Sequence, residues 1–296
     1  MHRRLLPLSV AAALLLPLFA NAQDSTLAKA KQTGTFTISY RDSSIPFSYL
    51  NDKGEPVGFA YEICERIADN VKKAIGKPDL KVNKQLVTSA NRIPLLINGT
   101  IDVECGSTTN NTERGKQVDF GINYFYTGTR FLVKKGVQIK GIEDLKGKTV
   151  VSTTGTTNLR LIRNLSEEKN LNINLLGAKD HAEAALMVGA GRAVAFGMDD
   201  ILLYGLKASM PNPDDWAVEG DAIQVEPYAV MVRKNDPAFK KVVDDTLAGM
   251  MKSGEFTKLY DKWFDSSIPP KGINLHAQMS AELKANLTAL SDKPAR

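Results

Sequence analysis

Short apolar runs alternate with amphipathic stretches along most of the chain. TFTISY (35–40), LKVNKQLV (80–87) and IDVEC (101–105) have the length and apolar content of strands. A helical pattern runs from Tyr61 to about Ile75, and a shorter one surrounds IPLLIN. A second series follows: KTVVST (148–153), a helix through Leu165, LNINLL (171–176), a helix from Ala182, and AVAFGM (193–198). This alternation predicts an α/β fold with mostly parallel sheets. A chain of 296 residues is long for one hydrophobic core, at roughly 100–200 residues per domain. The two series therefore predict two lobes of one plan, each Rossmann-like.

The best internal match pairs LLINGTIDVECGS, ending at Ser107, with LMVGAGRAVAFGMD, ending at Asp199. In each, a helical pattern stops at a glycine, Gly99 or Gly191, which suits the left-handed closure of a helix. A strand then ends eight residues after that glycine on a polar side chain. Ser107 and Asp199 thus fall at equivalent strand ends, where open α/β sheets bind ligands. YFYTGTRFLVKK (124–135) and QVEPYAVMVRKNDP (224–237) read as extended crossover strands joining the lobes. Helices over 237–252 and through FTKLYDKWF return to the first lobe, and the tail after Ile268 ends in an amphipathic stretch, AELKANLTAL.

The N-terminus changes where the protein is placed. Arg3 and Arg4 precede an apolar run from Leu5 to Phe19 and small residues at Ala20 and Ala22, the pattern of a secretory signal peptide. Cleavage is expected after Ala22, and no later run reaches the ~20 apolar residues of a spanning helix. The 38 basic and 33 acidic residues are dispersed, which argues against a nucleic-acid surface. Two cysteines, Cys64 and Cys105, fall in a disulfide-permissive compartment. They could pair, or each could be a free thiol in a lobe core; the sequence leaves both open. No metal-ligand spacing occurs, so no metal or cofactor is expected. GKT at 147–149 is not a phosphate loop, because Ile142 stands where the earlier glycine is required.

Candidate chemistry gathers at the strand ends. In GSTTNNTER, Ser107 and Thr109 are two apart and share a side of an extended segment, with Arg114 five residues on. Hydroxyls and a guanidinium make a carboxylate receptor, although a solvated loop with a surface arginine is the plainer alternative. In STTGTTNLR a strand breaks at Gly155 and a helix starts near Thr157, offering N–H groups to an anion or simple threonine capping. Arg41 follows TFTISY, Ser89 and Arg92 follow LKVNKQLV, and His181 follows LNINLLGAKD. Singly, each is as well explained as a surface or capping residue. Together, one carboxylate, Asp199, calls for a cationic group, while three arginines and a histidine call for more than one anionic group. A molecule with one ammonium and two carboxylates, glutamate or aspartate, fits that imprint. A cationic amino acid would leave Arg41 and Arg92 facing like charge.

YRDSSIPFSY, TSANRIPLLINGT, ECGSTTNNTER, GTTN, AKDH, GRAVAFGMDD and WFDSSIPPKGINL occur in this order. With them the chain resembles the periplasmic glutamate/aspartate-binding proteins of ABC transporters, within the type II solute-binding class. The resemblance implies a Venus-flytrap clamp with lobe 1 at 23–126 and 228–270, lobe 2 at 127–227, and a C-terminal extension at 271–296 packing on lobe 1. It implies that Arg114, Thr109 and Thr157 hold the ligand's α-carboxylate and that Asp199 with Ser107 holds its ammonium. Arg41, Ser89, Arg92 and His181 would hold the side-chain carboxylate. It gives Cys64 no family role. A monomeric periplasmic protein that passes L-glutamate or L-aspartate to an ABC permease is therefore expected, with no enzymatic activity. The alternatives are a lyase of the same fold using His181 and Asp199 as acid and base, and a binding protein for another polar amino acid such as glutamine. A sensory role would differ only in partner.

Overall fold

The computed structural model describes residues 25–295; the expected signal peptide at 1–22 lies outside the described residues. The elements in chain order are α1 (Thr26–Thr33), β1 (Thr35–Tyr40), β2 (Ser43–Ser44), β3 (Ser48–Leu50), β4 (Pro56–Val57), α2 (Phe59–Ile75), β5 (Lys81–Leu86) and α3 (Arg92–Ile97). There follow β6 (Val118–Lys134), β7 (Thr149–Thr153), α4 (Thr157–Glu168), β8 (Asn174–Ala178), α5 (His181–Gly189), β9 (Ala195–Asp199), α6 (Asp200–Ser209) and β10 (Trp216–Glu219). The chain closes with β11 (Val225–Arg233), α7 (Pro237–Ser253), α8 (Glu255–Phe264) and α9 (Ala281–Ala289).

The strand order explains the two lobes. In the first, β1 and β5 pair in parallel from Thr35↔Lys81 to Tyr40↔Leu86. In the second, β10, β6, β9, β7 and β8 lie side by side, and β7 runs parallel to both β8 and β9. The 17-residue β6 belongs to both. Its first part pairs antiparallel with β11, and its last residues pair with β9 and β10. β6 and β11 are therefore the outgoing and returning connections between lobes. Gly99 and Gly191, with φ of 78° and 72°, stand just past α3 and α5, as their spacing predicted.

IDVEC is not the regular strand expected. It makes one parallel bridge, Ile38↔Val103, and one antiparallel bridge, Glu104↔Met231. Asp102 pins it instead: its carboxylate accepts from Thr37 N at 2.9 Å and pairs with Lys29 at 2.8 Å and Arg233 at 3.1 Å. The segment crosses from β1 to β11 in a few residues and has no room for a ladder. β8 begins at Asn174 rather than 171, because Asn172 takes a left-handed conformation at φ 50° while Leu171 is buried in the second core.

Packing follows from the apolar faces. Phe47 meets Phe59, Phe125, Tyr228 and Phe264 edge-on at centroid distances of 4.9–6.3 Å, and each such side chain is worth roughly 1.5–3 kcal/mol when fully buried. Phe131, Val150, Ile162 and Ala195 form the core of the second sheet. Cys64 and Cys105 form a disulfide with Cα atoms 5.9 Å apart. Neither is therefore a free thiol, and of the two readings left open by the sequence the pairing holds.

Candidate functional site

Loops at the strand ends meet in a cleft. The turn after β7 has Gly155 at φ +83°, and a Cβ there would lie 2.6 Å from Ser89 O and from Ala90 Cα. Only glycine permits both that turn and that approach. Across the same line, Thr109 and Thr157 hydroxyls stand 3.3 Å apart, and Arg114 Nη2 donates to Gly155 O at 3.2 Å. The cleft is thus closed down to a cavity of about 10 Å³.

Ser89, Arg92, Ser107, Thr109, Thr157, His181 and Asp199 all line this cavity. Arg41 joins it through Ser89, whose Oγ accepts from Arg41 Nη2 at 2.7 Å. Arg114 joins through Thr109, whose carbonyl accepts from Nη1 at 2.9 Å. The nine residues singled out in the sequence therefore form one cluster. Ser107 Oγ also reaches Ser44 Oγ at 3.4 Å. At the start of α4, Thr156 is the capping residue, its hydroxyl accepting from Leu159 N at 3.1 Å. The Thr157 hydroxyl is left to donate to Glu226 at 2.9 Å.

Two electrostatic groups share the cleft. Arg41 and Arg92 are 0% and 2% exposed, and Nε and Nη1 of each have no protein partner. Burial, then the neighbouring Arg92, pulls the Arg41 pKa down to about 10. Arg114 is lowered to about 9 by the same two causes. Burial, with Arg41 and Arg92 nearby, drives His181 well below its ordinary value, so its imidazole is neutral. Its Nδ1 bonds Thr153 Oγ1 at 2.8 Å, and its Nε2 has no protein partner. Leaving buried donors unpaired costs about 1–3 kcal/mol each, a penalty that an anion accepting from them removes.

The second group is acidic. Asp199 accepts from Asn158 Nδ2 at 2.7 Å and from the Tyr228 hydroxyl. Burial, then Glu226, pushes the Asp199 pKa up to about 7, and the bonds from Tyr228 and Asn158 oppose this. Glu226 is raised by burial as well, against hydrogen bonds from Thr109 and Thr157. A cation placed against these carboxyls would favour their ionised form.

Sequence reasoning passed over Glu226, Tyr228, Asn158, Thr153 and Glu104. A lone carboxylate inside the apolar run QVEPYAVMV was the available signal for Glu226. Tyr228 reads as core in any strand pattern, and Asn158 as an ordinary first-turn residue. Glu104 is fully buried, with Oε2 accepting from Thr108 Oγ1 at 2.6 Å and Oε1 unpartnered. It acts on Arg41 as a nearby opposite charge. Among the described residues, no group of three or more His, Cys, Asp or Glu is placed to hold a metal ion.

The description of bacterial extracellular solute-binding proteins, family 3, matches residues 20–266. The chain is 52% identical over 287 residues to an L-glutamate/L-aspartate-binding protein of Pseudomonas aeruginosa, covering 97% of this chain and 95% of that one. It is 48% identical over 274 residues to a glutamate/aspartate import solute-binding protein of Salmonella typhimurium, covering 93% and 91%. Among solved structures, an ancestral arginine-binding protein bound to arginine superposes with a TM-score of 0.71 at 30% identity, covering 78% of this chain and 98% of that one.

Proposed function

The chain belongs to family 3 of the bacterial extracellular solute-binding proteins, and we propose that its cleft selects L-glutamate and L-aspartate through the nine residues gathered there. It is a solute-binding protein of amino-acid import rather than an enzyme, as its relatives are. The observation that carries the specificity is the set of buried, unpartnered nitrogens on Arg41, Arg92 and His181 in the same cleft as the Asp199 carboxylate. A side-chain carboxylate accepts from the first set, with Ser89. The ligand's ammonium neutralises Asp199, with Ser107. Thr109, Thr157 and Arg114 take the α-carboxylate, for which Glu226 yields the Thr157 hydroxyl.

We assign lobe 1 to 23–126 and 228–270, lobe 2 to 127–227, and an extension to 271–296. Export by the 1–22 leader to the periplasm, a monomeric state, and delivery to an ABC permease complete the proposal.

Calorimetric titration of protein unfolded, dialysed free of ligand and refolded tests it. L-Glutamate and L-aspartate are expected to bind one per chain, and L-glutamine and L-arginine at least about a hundredfold more weakly, because either leaves buried charges mismatched. Preference for glutamine or arginine would overturn the acidic specificity and leave the family membership standing.

A further inference from the structure

Thr153 ends β7 inside the STTGTTN run, and its hydroxyl lies 2.8 Å from His181 Nδ1. Both side chains are buried, at 0% and 1% exposure. A neutral imidazole carries one proton, on Nδ1 or on Nε2, and the partner of one nitrogen decides the role of the other. Here the decision falls to the threonine hydroxyl hydrogen. Among the described residues, Nδ1 is the one acceptor that Oγ1 reaches. If Nδ1 carried the proton and donated, the hydroxyl hydrogen would be buried with nothing to accept it, which is the costly arrangement. If the hydroxyl donates to a bare Nδ1, both groups are satisfied and Nε2 carries N–H.

We propose that Thr153 is a positioning residue that fixes His181 as the Nε2–H tautomer, so that this part of the cleft reads a side-chain carboxylate and rejects a carboxamide. The proposal rests on the placement above of the side-chain carboxylate among Arg41, Arg92 and His181. A carboxylate accepts on both oxygens, whereas a carboxamide brings one acceptor and an NH₂ that must donate. Guanidinium groups only donate, and one of the two Ser89 Oγ lone pairs already accepts from Arg41 Nη2, while its O–H can donate to a carboxylate. With His181 a donor too, the amide nitrogen meets N–H groups from three residues. In the other tautomer the Nε2 lone pair would accept from that amide, and the pocket would lose its means of telling glutamate from glutamine. Asn158, Tyr228 and Glu226 act on Asp199 and leave this discrimination untouched.

Thr153→Val removes the hydroxyl and keeps the branched volume at the strand end, while Thr153→Ser keeps the hydroxyl. Ligand-free wild type and both variants are titrated with L-glutamate and L-glutamine, and the His181 ring nitrogens of the glutamate-loaded wild type are recorded by ¹⁵N NMR. The valine variant is expected to lose about tenfold or more of the glutamate-to-glutamine affinity ratio, the scale of one charge-assisted hydrogen bond. The serine variant is expected to restore it, and the wild type to show a pyridine-type Nδ1 with a pyrrole-type Nε2. A protonated Nδ1 in the wild type, or an unchanged ratio in a folded valine variant, overturns the role of Thr153. If the valine variant does not fold, the wild-type nitrogen spectrum decides. Failure of the wild type to bind either acid is a different result and overturns the functional reading itself.

Discussion

Asp199 is held by Asn158 and Tyr228 and repelled by Glu226, and that balance makes its charge depend on the ligand. With its pKa near 7 in the free protein, Asp199 is increasingly protonated as pH falls from 7 to 5. A bound ammonium favours the carboxylate, so the complex holds fewer protons than the free protein and affinity rises with pH. For folding the sign is reversed: a carboxyl whose native pKa lies above its unfolded value of about 3.9 withdraws stability as pH rises between the two. Glutamate binding is accordingly expected to weaken by up to about tenfold per pH unit below 7. Asp199→Asn is expected to cost over about tenfold at pH 7.5 and to flatten that profile, since the loss of a partnered buried charge is large. Titrations at several pH values check this, and a variant with the wild-type slope would show that another group titrates. Asp199 was legible in the sequence as a carboxylate at a strand end. Its controllers were not, because Glu226 and Tyr228 arrive from a crossover strand some 30 residues on, and sequence spacing does not report which strands become neighbours.

At the scale of elements, ECGSTTNNTER has two tasks. Ser107 and Thr109 line the cleft and Arg114 joins it through Thr109, but the amides of the segment hold the chain elsewhere. Asn111 Oδ1 accepts from Arg114 N at 2.9 Å, and Asn110 Nδ2 donates to Asn123 and to Asp292 O. Ala295 N donates to Asn110 O at 2.9 Å, and Thr112 N to Ala295 O at 3.1 Å, so the C-terminal tail is stitched onto the segment that carries Thr109 and Arg114. The disulfide anchors the other end of that segment, since Cys105 is two residues before Ser107 and Cys64 lies in α2. It closes a loop of 41 residues, for which chain entropy gives about 4 kcal/mol. Cys64→Ser with Cys105→Ser is expected to lower the ligand-free unfolding free energy by roughly 2–4 kcal/mol in urea titrations. An unchanged midpoint would show that the loop is held by its packing and the tail alone. The strands and helices were legible wherever period and punctuation agreed, as at β1, β7 and α7. They were not where side chains set the path: Asp102 pins IDVEC through its carboxylate, and a left-handed Asn172 displaces the start of β8.

At the scale of the molecule, two lobes on crossover strands make a clamp whose contacts are mutual. In the proposed division Thr109 and Arg114 belong to the first lobe and Gly155, Thr157, His181 and Asp199 to the second, so a small ligand held as proposed would touch both. A ligand with such contacts favours the closed state by its differential affinity. Closure excludes water and strengthens each charged contact. The clamp therefore depends on where the ligand's charges lie, which a crystal structure of the protein, freed of ligand and regrown with L-glutamate, would show. The side-chain carboxylate is expected within hydrogen-bond reach of Arg41, Arg92 and His181 Nε2, with the ammonium on Asp199. An ammonium among the arginines, or glutamate held outside this cavity, would contradict that placement.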